Sequence, residues 1–210
     1  YVYPGMIKVI KKILPIIKEP NKVLRSLAEE VSPEDIQSKE IRALIADMKE
    51  TLKNTPDGVG LAAPQVNEGL RIFIVSEEVE EIDRAEKEGW KRKYVDKEGN
   101  KNERPYEKRE WKYYVFINPA VKNISKACIE DAEGCLSVPG KFGIVNRHEK
   151  ITVEALGENG KKFTRGASRF FARVVQHELD HLDGTLFIDK VEKYIDMPPR
   201  QEAENRLAAQ

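Results

Sequence analysis

The chain has 210 residues, with 36 Lys+Arg set against 36 Asp+Glu and a formal net charge of zero. That length suits one domain with a core of ordinary size, and the charge balance argues against direct nucleic-acid readout or an anionic membrane as the main partner. No apolar run approaches the roughly 18 residues of a membrane span. Two cysteines make no disulfide framework, so Cys128 and Cys135 read as thiols of a reducing compartment: the cytoplasm, or an organelle matrix if the chain is a trimmed precursor.

Residues 1–5 precede the first methionine, and the following stretch to Ile17 is broken by lysines and Pro15, which makes it a poor signal peptide. An extended segment is expected through Pro20. Ser32-Pro33-Glu34-Asp35 reads as a helix start, with Ile41, Leu44, Ile45, Met48 and Leu52 at helical spacing and the helix ending before Pro56. In residues 57–65, Gly58, Gly60 and a run of small residues leave the backbone bare where another group comes close, yet the spacing fits no phosphate-loop fingerprint. Residues 70–75 read as a strand.

From Glu77 to Lys112, 23 of 36 residues are charged, in near-equal numbers of each sign. Such composition cannot form its own core, so a surface insertion between two strands is expected, a solvated loop or helical arm. The β pattern resumes at residues 113–117 and a further β-prone stretch leads to residues 133–140. Residues 151–156 and 161–164 then form a hairpin whose Asn159-Gly160 supplies positive φ. A helix is expected from about Ser168, with Phe170, Phe171, Val174, Leu179 and Leu182 buried and Gly184 beyond its end. Residues 186–188 read as a last strand. The catalytic domain is placed at 6–190, with a polar tail over 191–210 whose order fades from Pro198.

The expected last helix carries His177-Glu178-Leu179-Asp180-His181, which takes two of the chain's three histidines. At 3.6 residues per turn the two imidazoles stand on one face, about 6 Å apart, so they can share a metal ion. Glu178 lies a step round from that face, where it can reach the attacking water as general base without being a ligand. A catalytic metal keeps three protein ligands and an open position. Candidates for the third are Cys135, Cys128, His148 or a carboxylate. The tight turn around Cys135 suits a side chain aimed at the helix, whereas Cys128 reads as a small hydrophobe in an alternating stretch.

Three segments, Gly58-Val59-Gly60-Leu61-Ala62-Ala63-Pro64-Gln65, Glu133-Gly134-Cys135-Leu136-Ser137 and Gln176-His177-Glu178-Leu179-Asp180-His181-Leu182-Asp183-Gly184, resemble the three signature motifs of peptide deformylase, in the family's order. The resemblance covers about Pro20 to Lys190. It implies an α+β fold in which antiparallel sheets wrap a central HExxH helix, and hydrolysis of the N-formyl group from N-formylmethionyl peptides and nascent chains, with formate released. It makes Cys135, His177 and His181 the metal ligands, Glu178 the general acid/base, and Gln65 and the backbone N–H of Leu136 the oxyanion donors. Val59, Gly60 and Gly134 match positions that hold the peptide backbone, and Val59, Phe170 and Val174 are expected to wall the methionine pocket. The ligand set alone does not choose the metal; the resemblance implies Fe2+, with Ni2+, Co2+ or Zn2+ as substitutes. A monomer is expected. Bacterial members dock on the ribosome through a basic C-terminal helix, and the tail here has few basic residues. The rival readings are a zincin-type metalloprotease, whose third ligand comes from downstream, and a binding module with a closed structural metal site.

Overall fold

The computed structural model describes residues 11–55, 58–89 and 110–196. Five strands, β1 (Gly60–Ala62), β2 (Ile72–Ser76), β3 (Tyr113–Ile124), β6 (Lys150–Leu156) and β7 (Lys162–Ser168), pair antiparallel in that order. A second antiparallel sheet holds β4 (Cys128–Cys135), β5 (Val138–His148) and β8 (Val191–Ile195). Strand β2 explains why the layers stack as they do. All its residues are buried, and alternate side chains of a strand go to opposite faces. Phe73 and Val75 pack with Phe116, Val153, Phe171, Val175 and Leu179 against helix α3 (Arg169–Leu182). Ile72 and Ile74 pack against Ile41, Ile45, Met48 and Leu52 of helix α1 (Lys39–Lys53). A strand covered on both faces reads as a continuous apolar run, as this one does. The architecture is the expected α+β arrangement around the helix that carries HExxH.

The differences from expectation have local causes. Helix α1 begins at Lys39, because Ser38 supplies the cap by accepting the Ile41 N–H at 3.2 Å. Ser32 instead closes a turn, with its hydroxyl on Asp35 at 2.6 Å. In the β6–β7 hairpin only Gly160 takes positive φ, at 70°; the Asn159 side chain accepts the Lys161 N–H at 2.9 Å. Residues 187–189 form a short 3-10 turn with Phe187 fully buried, and the last strand is β8, which pairs with β5. The sheet therefore extends into the stretch read as a polar tail; residues 197–210 lie outside the described residues.

Of the two expected forms of the charged stretch, loop or helical arm, the described part is a helix, and it differs from expectation in burying one face. The helix is α2 (Glu78–Lys87), with Val79, Ile82 and Ala85 buried on one face. The acidic residues Glu78, Glu80 and Glu81 occupy its first turn, where the helix dipole favours them. Residues 90–109 lie outside the described residues. Asp83 of α2 reaches the start of α3 and accepts the N–H groups of Phe170 at 3.0 Å and Phe171 at 3.3 Å. The residue before α3, Ser168, makes no side-chain cap, so a neighbouring helix caps the helix that bears the histidines. Replacing Asp83 with Ala is expected to cost about 1–2 kcal/mol, the usual worth of an N-cap, and Asp83→Asn, which keeps an acceptor, is expected to cost less. Urea unfolding of the three proteins measures both; an Asp83→Ala midpoint equal to the parent's would remove α2 from this role.

Candidate metal centre

Helix α3 is driven onto the sheet by Phe171, Val175 and Leu179, which turns His177 and His181 toward the second sheet. Their ring centroids lie 4.9 Å apart and the planes are nearly perpendicular, at 80°. Cys135 arrives from the other side, at the end of β4, where the register with β5 slips between Gly134 and Cys135. Its Sγ is 3.2 Å from His181 Nε2. One donor atom each from Cys135, His177 and His181 lie within 4.8 Å of one another, and theirs is the one such cluster among the described residues. Cys128, expected as a buried small hydrophobe, is exposed, because the end of β4 projects into solvent, and it pairs with His148 at the far end of that strand. Seven residues of strand, roughly 23 Å, separate Cys128 from Cys135, so neither Cys128 nor His148 completes the triad.

The donor set fits a divalent ion: two imidazoles and a thiol that is a metal ligand once ionised. His177 Nδ1 is bonded to Glu133 at 3.0 Å, which leaves its Nε2 for the cluster. A ligating histidine held through its other nitrogen by a carboxylate is the usual arrangement. Burial opposes charge on His177, but the Cys135 sulfur and the Glu133 carboxylate outweigh it and hold its pKa well above the ordinary value. Burial, then the charge of His177, keeps His181 well below.

Glu178 is buried, and its Oε2 has no hydrogen-bond partner among the described residues. Burial pushes its pKa up to about 7, so the carboxyl sits where it can both take and return a proton near neutral pH. Beside it lies the backbone of Gly60, where an added Cβ would stand 2.3 Å from Glu178 Oε1. The bare backbone expected around Gly58 and Gly60 therefore admits the carboxylate of this chain's own helix. At Gly134 the neighbour is the Phe142 ring, 2.5 Å from the place of a Cβ.

Gln65 is buried, and its Oε1 accepts the Ala62 N–H at 2.8 Å. That bond turns Nε2 toward Cys135 Sγ at 3.6 Å and Ser137 Oγ at 3.4 Å. Leu136 follows Cys135, and its carbonyl accepts Lys18 Nζ at 2.5 Å. Val59 and Phe170 pack on the cluster that contains Val174, while the Val59 carbonyl accepts the Ser76 N–H at 2.8 Å. What the sequence reading missed is the layer below His177. Glu133 is gripped by Arg147 at 2.8 and 2.9 Å and by Arg173 at 2.7 Å, and Arg147 also reaches Asp180 at 2.5 Å. Burial alone would raise the Glu133 pKa; the bonds from Arg147 and His177 outweigh it and hold the carboxyl well below its ordinary range. A signal was available: Arg173 lies one helical turn before His177, a charge on a face otherwise spent on burial.

Residues 13–195 match the polypeptide deformylase family. A peptide deformylase of Saccharophagus degradans is 38% identical over 198 residues, which make up 94% of this chain and 94% of that protein. The chloroplastic peptide deformylase 1A of Solanum lycopersicum is 36% identical over 182 residues, 86% of this chain, and the match spans 61% of that longer protein. Among solved structures, the class I type b peptide deformylase of Acinetobacter baumannii with Met-Ala-Ser bound has a TM-score of 0.69 at 31% identity, covering 87% of this chain and 100% of its own.

The Gly60–Glu178 contact gives a direct test of the packing. Gly60→Ala is expected to destabilise the fold by about 1–3 kcal/mol, the range for overpacking, and most of that cost should vanish in a Glu178→Ala background. A double-mutant cycle by chemical denaturation reads the coupling; additive effects would show that the carboxylate does not occupy this position.

Proposed function

This chain belongs to the polypeptide deformylase family, and from that premise we propose that it hydrolyses the N-formyl group of N-formylmethionyl peptides and nascent chains, releasing formate. The observation that carries the reading is the meeting of Cys135 Sγ with His181 Nε2 at 3.2 Å, with the Gln65 amide on the same sulfur. All three signature segments therefore converge on one point. In this reading Cys135, His177 and His181 hold the metal. When bound, a divalent ion supplies Lewis-acid activation of the attacking water and of the formyl carbonyl.

The chain's own residues do the rest. Glu178 takes the proton of the attacking water and returns it to the departing amine nitrogen; burial pushes its pKa up to about 7. A neighbouring cation lowers that value and keeps the carboxylate ready as base. The Gln65 amide and the Leu136 backbone N–H donate to the oxygen on which negative charge develops. Gln65 does so as a neutral group already locked by its bond to Ala62. Val59, Gly60 and Gly134 line the path of the peptide backbone, and Val59, Phe170 and Val174 form the apolar side where the methionine side chain rests. The solved Acinetobacter baumannii relative with Met-Ala-Ser bound supports a peptide substrate. The third ligand comes from β4, upstream of the helix, which separates this centre from the zincin reading. The enzyme works as a monomer on chains leaving the ribosome, in the cytoplasm or an organelle matrix; both cysteines are free thiols, as such compartments keep them, and no helix among the described residues is long and apolar enough to cross a membrane.

Formate release from a formyl-methionyl peptide, measured beside cleavage of internal peptide bonds, tests the reaction itself; internal cleavage without formate would install the protease instead. Glu178→Gln is expected to lower turnover by roughly 10² to 10⁴ while metal content stays at the parent level. Near-normal turnover, or loss of the metal, would remove Glu178 from the role of base.

Iron(II) is the physiological ion in this reading, and it carries a chemical consequence. It reacts with oxygen and peroxide beside a thiolate that can itself be oxidised. Protein loaded with iron without air is therefore expected to lose activity in air faster than the nickel-loaded form. The comparison follows formate release over time with peroxide added and metal content checked; equal decay with both metals retained would overturn iron.

A further inference from the structure

We propose that Arg173 is a positioning residue of the metal centre: it fixes the distance between the Cys135 sulfur and the two imidazoles by tying helix α3 to the strand that carries the cysteine. The proposal rests on the metal-centre reading above. The ligands belong to two different elements, Cys135 to β4 and His177 and His181 to α3, and the sheet containing β4 is separate from the five-stranded sheet on which α3 packs. Their mutual placement needs a connection of its own. Arg173 supplies one from a position 4% exposed. Its Nη1 donates to Glu133 Oε1 at 2.7 Å and to the Val145 carbonyl at 2.9 Å, and its Nη2 donates to the Ile129 carbonyl at 2.5 Å.

One side chain of α3 thus holds the β4 backbone at Ile129, the β5 backbone at Val145 and the β4 side chain Glu133. Glu133 in turn accepts from His177 at 3.0 Å, and Cys135 is two residues further along β4. Arg173 and His177 are four residues apart, hence stacked on one helix face. Sliding β4 along α3 breaks all three contacts at once. The planar five-donor guanidinium can satisfy several acceptors in fixed directions; lysine, with a point charge on a flexible stem, cannot reproduce that fork.

The test loads the full-length protein with cobalt(II), whose ligand-field and thiolate charge-transfer bands report the cluster geometry, and measures metal dissociation into a chelator. Arg173→Met keeps the volume and removes the fork. Glu133 keeps its two bonds from Arg147 and its bond to His177, so the substitution leaves no unpaired carboxylate and this variant is expected to fold at some cost in stability. Its metal affinity should fall roughly 10- to 100-fold, the usual effect of losing support behind a ligand, and its charge-transfer band should shift. Arg173→Lys should show a smaller loss with a shifted band, and it serves as the test protein if the Met variant does not fold. Val153→Ala, a core truncation beneath α3, should lower stability without moving the band. An unchanged band and dissociation rate in a folded Arg173 variant would overturn the proposal, as would an equal shift in Val153→Ala. Failure of the parent protein to bind cobalt would instead overturn the metal centre on which it rests.

Discussion

An ionised carboxylate with 4% of its side chain exposed survives only if its charge and its oxygens are matched, and Glu133 is matched by three side chains from two other elements. It stands on β4, Arg147 comes from β5, and Arg173 and His177 come from α3. No pair of these elements could satisfy it alone. The sheet and the helix are thereby committed to a single register, and the imidazole bonded to Glu133 is oriented as part of the same solution. Stability gains little from such a buried network compared with apolar packing of equal volume. What it secures is geometry, because moving either element leaves a buried charge unpaired.

The rest of the fold serves to hold α3 still from the other sides. Asp83 caps its first turn from α2. At its last turn the Leu182 carbonyl accepts the Ala28 N–H at 2.8 Å, and Gly184, with φ of 69°, lies so close to the chain at Arg25 that a Cβ would stand 2.9 Å from the backbone there. A helix ends most cheaply on a left-handed glycine; here the missing side chain also admits a neighbouring segment. The extended stretch before it bonds backbone to backbone with Gln65 through Ile17 and with Ser137 through Glu19, both at 2.9 Å. It therefore bridges the two loops that frame the sulfur.

Much of this was legible in the residues. The spacing of His177 and His181, the apolar face of α3 and the hairpin over residues 150–168 follow from periodicity and local turn chemistry, which act within a few residues. The third ligand could not be settled that way, since the approach of β4 to α3 is a tertiary fact; the tight turn favoured Cys135, and the resemblance of Glu133-Gly134-Cys135-Leu136-Ser137 to a known motif singled it out. Helix α2 was hidden for a different reason. Its buried residues Val79, Ile82 and Ala85 are three small or medium apolar side chains among charges, too few to stand out from a stretch dominated by solvated groups, yet sufficient once α3 offers a surface. Gly60 was rightly read as a place of close approach, but the partner, Glu178, is 118 positions away and invisible to any local pattern.

Formal charge ties the pieces together. Below the histidines, two carboxylates, Glu133 and Asp180, meet three cations, Arg147, Arg173 and Lys190, so neither carboxylate is left unpaired to draw a cation away from the cluster above. On the other side stand Cys135, a thiolate once it ligates a metal, and Glu178, whose carboxylate a bound cation favours, both at the point where the three ligand atoms converge. A divalent cation there brings the centre to neutrality without any further counter-ion. A lysine in place of Gln65 would spoil that balance and compete with the cation for the sulfur, whereas an amide offers a directed N–H dipole with no charge to bury. The pairing of both carboxylates below and the neutrality of Gln65 beside the sulfur thus serve one requirement: the converging ligand atoms are left as the place where a metal ion is held.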